Sequence, residues 1–278
     1  MVRKTVGIEI RGGEMLQPWF ARLTDNSVYG RIALEYTFDI EEMPVGDLIL
    51  AGERPERMHY AINGTPLFND DVHSFWIDDC FKKMAIPHGA LKHGRNVITA
   101  ETDFMRTTNL EALYLIGDFG VRLNGNIRTL TTRPDTLRFG NLDTAAMPFY
   151  TDELTYLITP DKYSSLTCSD GERVKLAPTA FFGALIRVQA DGMEEQRLIW
   201  DPYEADVTDA VRDGKTIRVT VVGTRRNLFG PLHYAPRHYQ NCGPGHFVTE
   251  GDNWTDDYAL IDSGLHGITL TKYRLNNN

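Results

Sequence analysis

The order Tyr60-Ala61-Ile62-Asn63-Gly64, Phe75-Trp76-Ile77-Asp78, Ile86-Pro87, Leu91-Lys92-His93-Gly94-Arg95-Asn96-Val97-Ile98 decides the fold, because it occurs twice. Its second copy reads Arg187-Val188-Gln189-Ala190-Asp191-Gly192, Ile199-Trp200-Asp201, Val207-Thr208, Val211-Arg212-Asp213-Gly214-Lys215-Thr216-Ile217. Self-similarity on this scale means one architecture built twice. Each copy opens with a strand running into Asn-Gly or Asp-Gly, the pairs that tolerate the positive φ of a two-residue hairpin. A tryptophan strand follows in each. Next comes a segment too short for a proper helix, read as a single helical turn with a left-handed glycine, Gly94 or Gly214, before the next strand. Trp76 and Trp200 sit at equivalent places, so both are expected in the core, where replacement by alanine would cost ~3 to 5 kcal/mol. One departure is Thr216 where the first copy has Asn96.

Working outward, short β-branched and aromatic runs bounded by Gly, Pro, Asn and Asp recur without long helical periodicity, at 34–38, 58–62, 97–101, 112–116, 154–158, 184–190, 217–222 and 267–273. Such runs read as strands, and the chain as all-β. At 217–222 the alternation is clean, with Ile217, Val219 and Val221 on one face and Arg218, Thr220 and Val222 on the other. Between the copies lies 124–149, rich in Thr, Arg, Gly and Pro, with a weak strand at 136–139. The boundary is placed there, giving two tandem β-sandwiches over residues 1–140 and 141–278.

The 278 residues, 42% hydrophobic and 24% charged, have the composition of a soluble globular protein. Lys and Arg number 29 against 38 Asp and Glu, and the resulting charge of -9 repels phosphate backbones and acidic bilayers. Nucleic acid and membrane are therefore not expected partners. No apolar run approaches the ~20 residues of a membrane span, and the first residues lack the apolar stretch of a secretion signal, so the chain is read as soluble with its compartment undefined. Cys80, Cys168 and Cys242 are far apart and supply neither a disulfide framework nor a zinc spacing. They are expected to be reduced, small apolar side chains.

The hairpin, the aromatic strand, the Ile-Pro…Leu-Lys-x-Gly-x-Asn-x-Ile turn and the strand after it resemble the galactose-binding-like jelly rolls, including the sugar-binding sandwich of glycoside hydrolase family 2 and related enzymes. A second stretch, 223–233 (Gly-Thr-Arg-Arg-Asn-Leu-Phe-Gly-Pro-Leu-His) followed by Gly243-Pro244, Phe247, Trp254, Tyr258, Leu260 and Gly264-Leu265, is similar to the C-terminal accessory sandwiches of large bacterial glycosidases. The resemblance covers most of 30–123 and 150–273. It implies a non-catalytic fold that binds an oligosaccharide or polysaccharide, or braces a neighbouring glycosidase catalytic domain, and it carries over no site residues.

Site chemistry has to come from the residues themselves. Glycoside hydrolysis needs two facing acids, and the best local carboxylates, Asp201, Glu204 and Asp206 with Asp78 and Asp79 in the first copy, read as turn caps or solvated groups. Nucleophile-elbow, zinc-protease, P-loop and dinucleotide signatures are absent. No cofactor is required. Asn69-Asp70-Asp71 and Asp252-Asn253 with Asp256-Asp257 offer oxygens to a structural Ca²⁺, although short acidic loops are more often only turns, and His233, His238, His246 and Cys242 match no zinc spacing.

Sugar recognition needs a flat apolar face for the ring and planar polar groups for its hydroxyls. The connection 225–258 concentrates Arg225, Arg226, Asn227, His233, Tyr234, Arg237, His238, Tyr239, Trp254, Asp256 and Asp257, and connections this long usually serve function or pack on a neighbour. The expected carbohydrate site therefore lies on the second sandwich, with Trp254 as stacking platform and Arg226, His233, Asp256 and Asp257 as hydrogen-bonding partners. Asn227, Phe229, Pro231 and Trp254 can equally close the end of a sandwich, and Trp19 can cover the first. Three functions compete: a carbohydrate-binding module, a purely structural brace, and a free-standing carbohydrate-active enzyme.

Overall fold

The computed structural model describes residues 2–7, 27–71, 73–108, 110–236 and 241–274. Trp19, Arg237, His238 and Tyr239 lie outside the described residues. The chain divides into two compact units, Met1–Pro134 with His233–Ala259, and Asp135–Leu232 with Leu260–Asn278. The segment 233–259, read from sequence as part of the second sandwich, is thus grouped with the first unit.

Among its described residues the first unit contains β1 (Val28–Ile40), β2 (Leu48–Glu53), β3 (His59–Ile62), β4 (Thr65–Leu67), β5 (Phe75–Trp76), β6 (Asp78–Ile86), β7 (Gly94–Met105), β8 (Tyr114–Ile116), β9 (Gly120–Asn124) and β10 (Ile127–Thr131). They form two sheets, in the orders β4-β3-β7-β1-β10-β9 and β5-β6-β2-β8. Phe38, Ile40, Ile62, Ile98 and Leu130 from one sheet meet Leu48, Leu50, Met84 and Ile86 from the other in a single cluster. Because successive side chains of a strand point to opposite faces, this burial at every second residue makes each sheet one wall of a sandwich.

The second unit repeats the plan with β11 (Glu153–Ile158), β12 (Glu172–Phe182), β13 (Leu185–Gln189), β14 (Gln196–Leu198), β15 (Ala205–Asp206), β16 (Ile217–Val222) and β17 (Gly264–Arg274). Its sheets run β11-β16-β13-β14 and β15-β12-β17. Placed beside β1-β7-β3-β4 and β6-β2-β8, they have the same order strand for strand. Ile217, Val219 and Val221 are buried against Val174, Leu176, Ile186 and Leu265, while Arg218, Thr220 and Val222 are not. The chain is an all-β sandwich protein, as its patterning predicts.

The turns bear out part of the sequence reading. Asn63 and Gly64 both have positive φ, 48° and 84°, and Ile62 pairs with Thr65, so this is the expected two-residue hairpin. Gly94 and Gly214 are left-handed at 76° and 60°, each after its helical turn, a 3-10 turn at His88–Ala90 and α2 (Thr208–Arg212), numbered after α1 (Val2–Thr5). Three expectations need correction. The Asp191-Gly192 turn is not a two-residue hairpin, since Val188 pairs with Gln196 and only Gly192 has positive φ. Residues 136–139 form no strand. The tryptophans are not core equivalents: Trp200 is 74% exposed, because β14 stops at Leu198 and beyond it alternation no longer places side chains. Trp76 is half-buried at the sheet edge, against Phe81 (6.1 Å) and Tyr114 (5.2 Å). No helix of the described residues is long and apolar enough to cross a membrane.

Candidate functional site

Within the first unit, an isolated bridge between Tyr234 and Trp254 ties the two limbs of 233–259 together. Ala235 N–H donates to Asn253 O (2.8 Å) and Thr255 N–H to His233 O (2.9 Å). This backbone closure sets side chains distant in sequence side by side. The imidazole of His233 stacks on the indole of Trp254 at 4.8 Å and 29°, and its other neighbour is Tyr258 at 5.0 Å. His233 Nδ1 lies 3.0 Å from Thr255 O. A carbonyl can only accept, so Nδ1 carries the proton of that bond, and in the neutral imidazole Nε2 is then the acceptor.

The indole N–H donates to Asp256 Oδ1 at 2.9 Å, which holds the ring plane and leaves the second carboxylate oxygen as an acceptor. Asp256 and Asp257 are exposed, whereas Trp254 and His233 are partly so. Asp257 reaches over the turn between β9 and β10: a Cβ on Gly125 (φ 61°) would stand 2.8 Å from Asp257 Oδ1, closer than real Cβ atoms approach. Glycine suits that left-handed conformation. Arg128 of β10 completes the group, donating from Nη1 to Tyr258 Oη (3.2 Å) with its guanidinium 5.9 Å from that ring's centre. The arrangement is a stack, Trp254–His233–Tyr258, with an arginine at one end and the Asp256 carboxylate on the indole N–H.

Of the residues singled out from sequence, His233, Trp254 and Asp256 are brought together, Asp257 is turned toward Gly125, and Trp254 is not sealed in a core. Arg226 is grouped with the second unit. It opens α3 (Arg226–Phe229) there, where its side chain folds over Gly230, leaving 2.6 Å between Nη1 and an added Cβ. Asn227 likewise serves structure, since it is 4% exposed and exchanges hydrogen bonds with Ile261 O (2.8 Å) and Ile261 N–H (3.0 Å). Arg128 escaped the sequence reading because it sits in a strand far from the loop; the flanking Asn124-Gly125-Asn126 turn was its one signal.

Among the other carboxylates, Asp206, Glu204, Asp78 and Asp79 are engaged. Asp206 accepts from Thr208 N–H (2.9 Å), Arg173 Nη1 (2.8 Å) and Tyr273 Oη (2.9 Å). Burial pushes its carboxyl up, but the bonds from Thr208, Arg173 and Tyr273 outweigh it and hold it at about 2. Glu204 pairs with Lys175 at 2.6 Å and Asp79 with Lys82 at 2.6 Å. Asp71 accepts from His73 N–H (2.9 Å) and Asn69 donates to Lys83 O (2.8 Å), the bonds of a polar turn. Among the described residues no group of three His, Cys, Asp or Glu side chains is placed to hold a metal. All three cysteines are free thiols, yet Cys80 and Cys242 are exposed rather than buried.

No family model matches the chain, and no curated protein matches it. Among solved structures it is similar to a Streptomyces avermitilis alpha-L-rhamnosidase complexed with L-rhamnose, with a TM-score of 0.27 and 11% identity over 89% of this chain and 24% of that one. The chain thus spans about a quarter of that enzyme's length. A likeness this slight carries no argument, and the fold rests on the sheets themselves.

Proposed function

We propose that this chain is a non-catalytic carbohydrate-binding β-sandwich module, of the kind that accompanies glycosidase catalytic domains, with its sugar surface on the Trp254–His233 stack. The observation that carries this reading is the partly exposed indole, fixed in plane by Asp256 and backed by His233, with acceptors at its margin. An indole face matches the C–H side of a pyranose, and carboxylate and imidazole acceptors at the edge of the ring match equatorial hydroxyls. Arg128 and Tyr258 give the stack a rigid base, which lowers the entropic cost of binding. The resemblance of the repeat to galactose-binding-like jelly rolls points the same way.

A glycan array of neutral oligosaccharides, probed with the intact chain, tests the reading. Weak binding to a restricted set of glycans, unchanged by added salt because the ligand is neutral, is the expected result. An array without a single hit removes it. A purely structural brace is the second reading, supported by the adjacent exposed side chains Ile199 and Trp200, 46% and 74% exposed; apolar surface of that kind is commonly covered by a neighbour. In that case the same array is silent.

A further inference from the structure

The first unit also contains a cleft of about 350 Å³, within the ~300 to 1,000 Å³ range of small-molecule sites. The chain as a whole has a charge of -9, yet Arg31, Arg54 and Arg57 line this cleft alongside the acidic residues Glu53 and Asp103. Arg31 is neutralised by Glu101 at 2.7 Å. Arg54 and Arg57 have no ion-pair partner among the described residues, and both belong to one tight turn in which Arg57 N–H donates to Arg54 O (3.0 Å). Thr102 of β7 pins that turn by donating from its hydroxyl to Arg57 O (2.7 Å).

Arg54 is half-buried and holds a left-handed backbone, φ 48° and ψ 54°. That conformation is costly for a residue with a Cβ, and no hairpin demands it here as one does at Asn63. Strain of this sort is maintained where a side chain must be aimed. Two forked, unpaired guanidinium groups at one cleft form a receptor for a planar oxyanion, which each can grip with paired N–H donors. Met58 and Met105 line the same cleft with pliable apolar surface, and Asp103 adds a carboxylate. A bare anion would use neither. A hydroxylated ring carrying a carboxylate uses all three, resting its C–H face on the thioethers and giving hydroxyl protons to Asp103.

We infer that this cleft is a second binding site, specific for an acidic saccharide such as a uronic acid, with its carboxylate held by Arg54 and Arg57. The inference rests on the proposed carbohydrate function for the body of the ligand, but not on the Trp254 surface.

Calorimetry on the intact chain tests it with galacturonate and glucuronate oligosaccharides, the matching neutral oligosaccharides and inorganic phosphate. Acidic oligosaccharides are expected to bind, at least tenfold more weakly in Arg54→Asn/Arg57→Gln and progressively more weakly with salt. Asparagine tolerates the left-handed region, so the melting temperature of the double variant should not fall, and a lost fold is separated from a lost ligand contact. Equal affinity of the double variant and the parent overturns the inference, as does phosphate binding as tightly as any saccharide. If neutral glycans bind but acidic ones bind no better, the cleft assignment fails and the proposed function stands; if no saccharide binds, both fail.

Discussion

The hairpin turn of the first unit and the Asp191-Gly192 turn of the second occupy the same place in the same strand order, yet they are secured by different chemistry. In the first, Asn63 Nδ2 donates to Ala90 O (2.7 Å) and to Asn96 Oδ1 (2.8 Å). Asn96, 0% exposed, donates in turn to Lys92 O (2.7 Å) and Gly94 O (2.9 Å) and accepts from Lys92 N–H (3.1 Å). Two neutral amides thereby clamp the hairpin to the helical turn. In the second, Thr216 replaces Asn96, and Ala210, the counterpart of Ala90, is reached from elsewhere. Its carbonyl accepts from Lys215 N–H (2.9 Å) and from the Tyr163 hydroxyl (3.4 Å), and that hydroxyl also bonds Lys215 O. Asp191 instead faces outward to Arg218 at 2.8 Å. The same backbone groups must be satisfied in both copies, and a buried amide pair or a buried tyrosine does it equally. What the fold requires is the bonded carbonyl, not the residue that bonds it.

The comparison breaks most visibly at Asn96. Asn96→Ala should destabilise the first unit by ~2 to 4 kcal/mol, because several buried backbone groups lose their partner at once, whereas Thr216→Ala should change little. Denaturant unfolding that ranks the two variants equally would contradict the clamp. Trp76→Ala comes next, at about 1 to 2 kcal/mol for the loss of its two ring contacts and partial burial. Trp200→Ala, by contrast, should leave the melting temperature within error, since little is buried there; a large loss would restore tryptophan to the core of both copies.

A smaller effect sharpens the comparison with pH. The first unit's Glu42 accepts from both the hydroxyl and the N–H of Thr132 and from Thr131 Oγ1, and these bonds lower its carboxyl to about 2; Asp206 sits at about 2 in the second. Both are lowered, so their contributions are intact above the unfolded carboxylate range near ~4 and are lost as pH falls from there through about 2. Asp206→Asn should therefore flatten the acid limb of stability without adding stability at neutral pH. An acid limb identical to the parent's would show that Asp206 is not held low.

Much of this architecture is legible in the residues. Asn63-Gly64, the glycines Gly94 and Gly214, and the alternation at 217–222 each encode a backbone requirement that only certain side chains meet, so they can be read locally. Trp200 could not be placed, because its exposure depends on where β14 ends, and no residue type marks that end. The site divides in the same way. Trp254, Asp256 and His233 share one connection and meet in space. Arg226 shares it too but packs on Gly230, and Arg128 belongs to the stack from a strand on which nothing in the loop reports.

The central claim is that the Trp254 stack holds sugar. Titration calorimetry of the intact chain with its best neutral glycan, parent against Trp254→Ala, tests it most directly, with the melting temperature of each measured alongside. The account predicts that binding by the parent is abolished or weakened at least tenfold in the variant while the fold persists. Undiminished affinity in Trp254→Ala would contradict it.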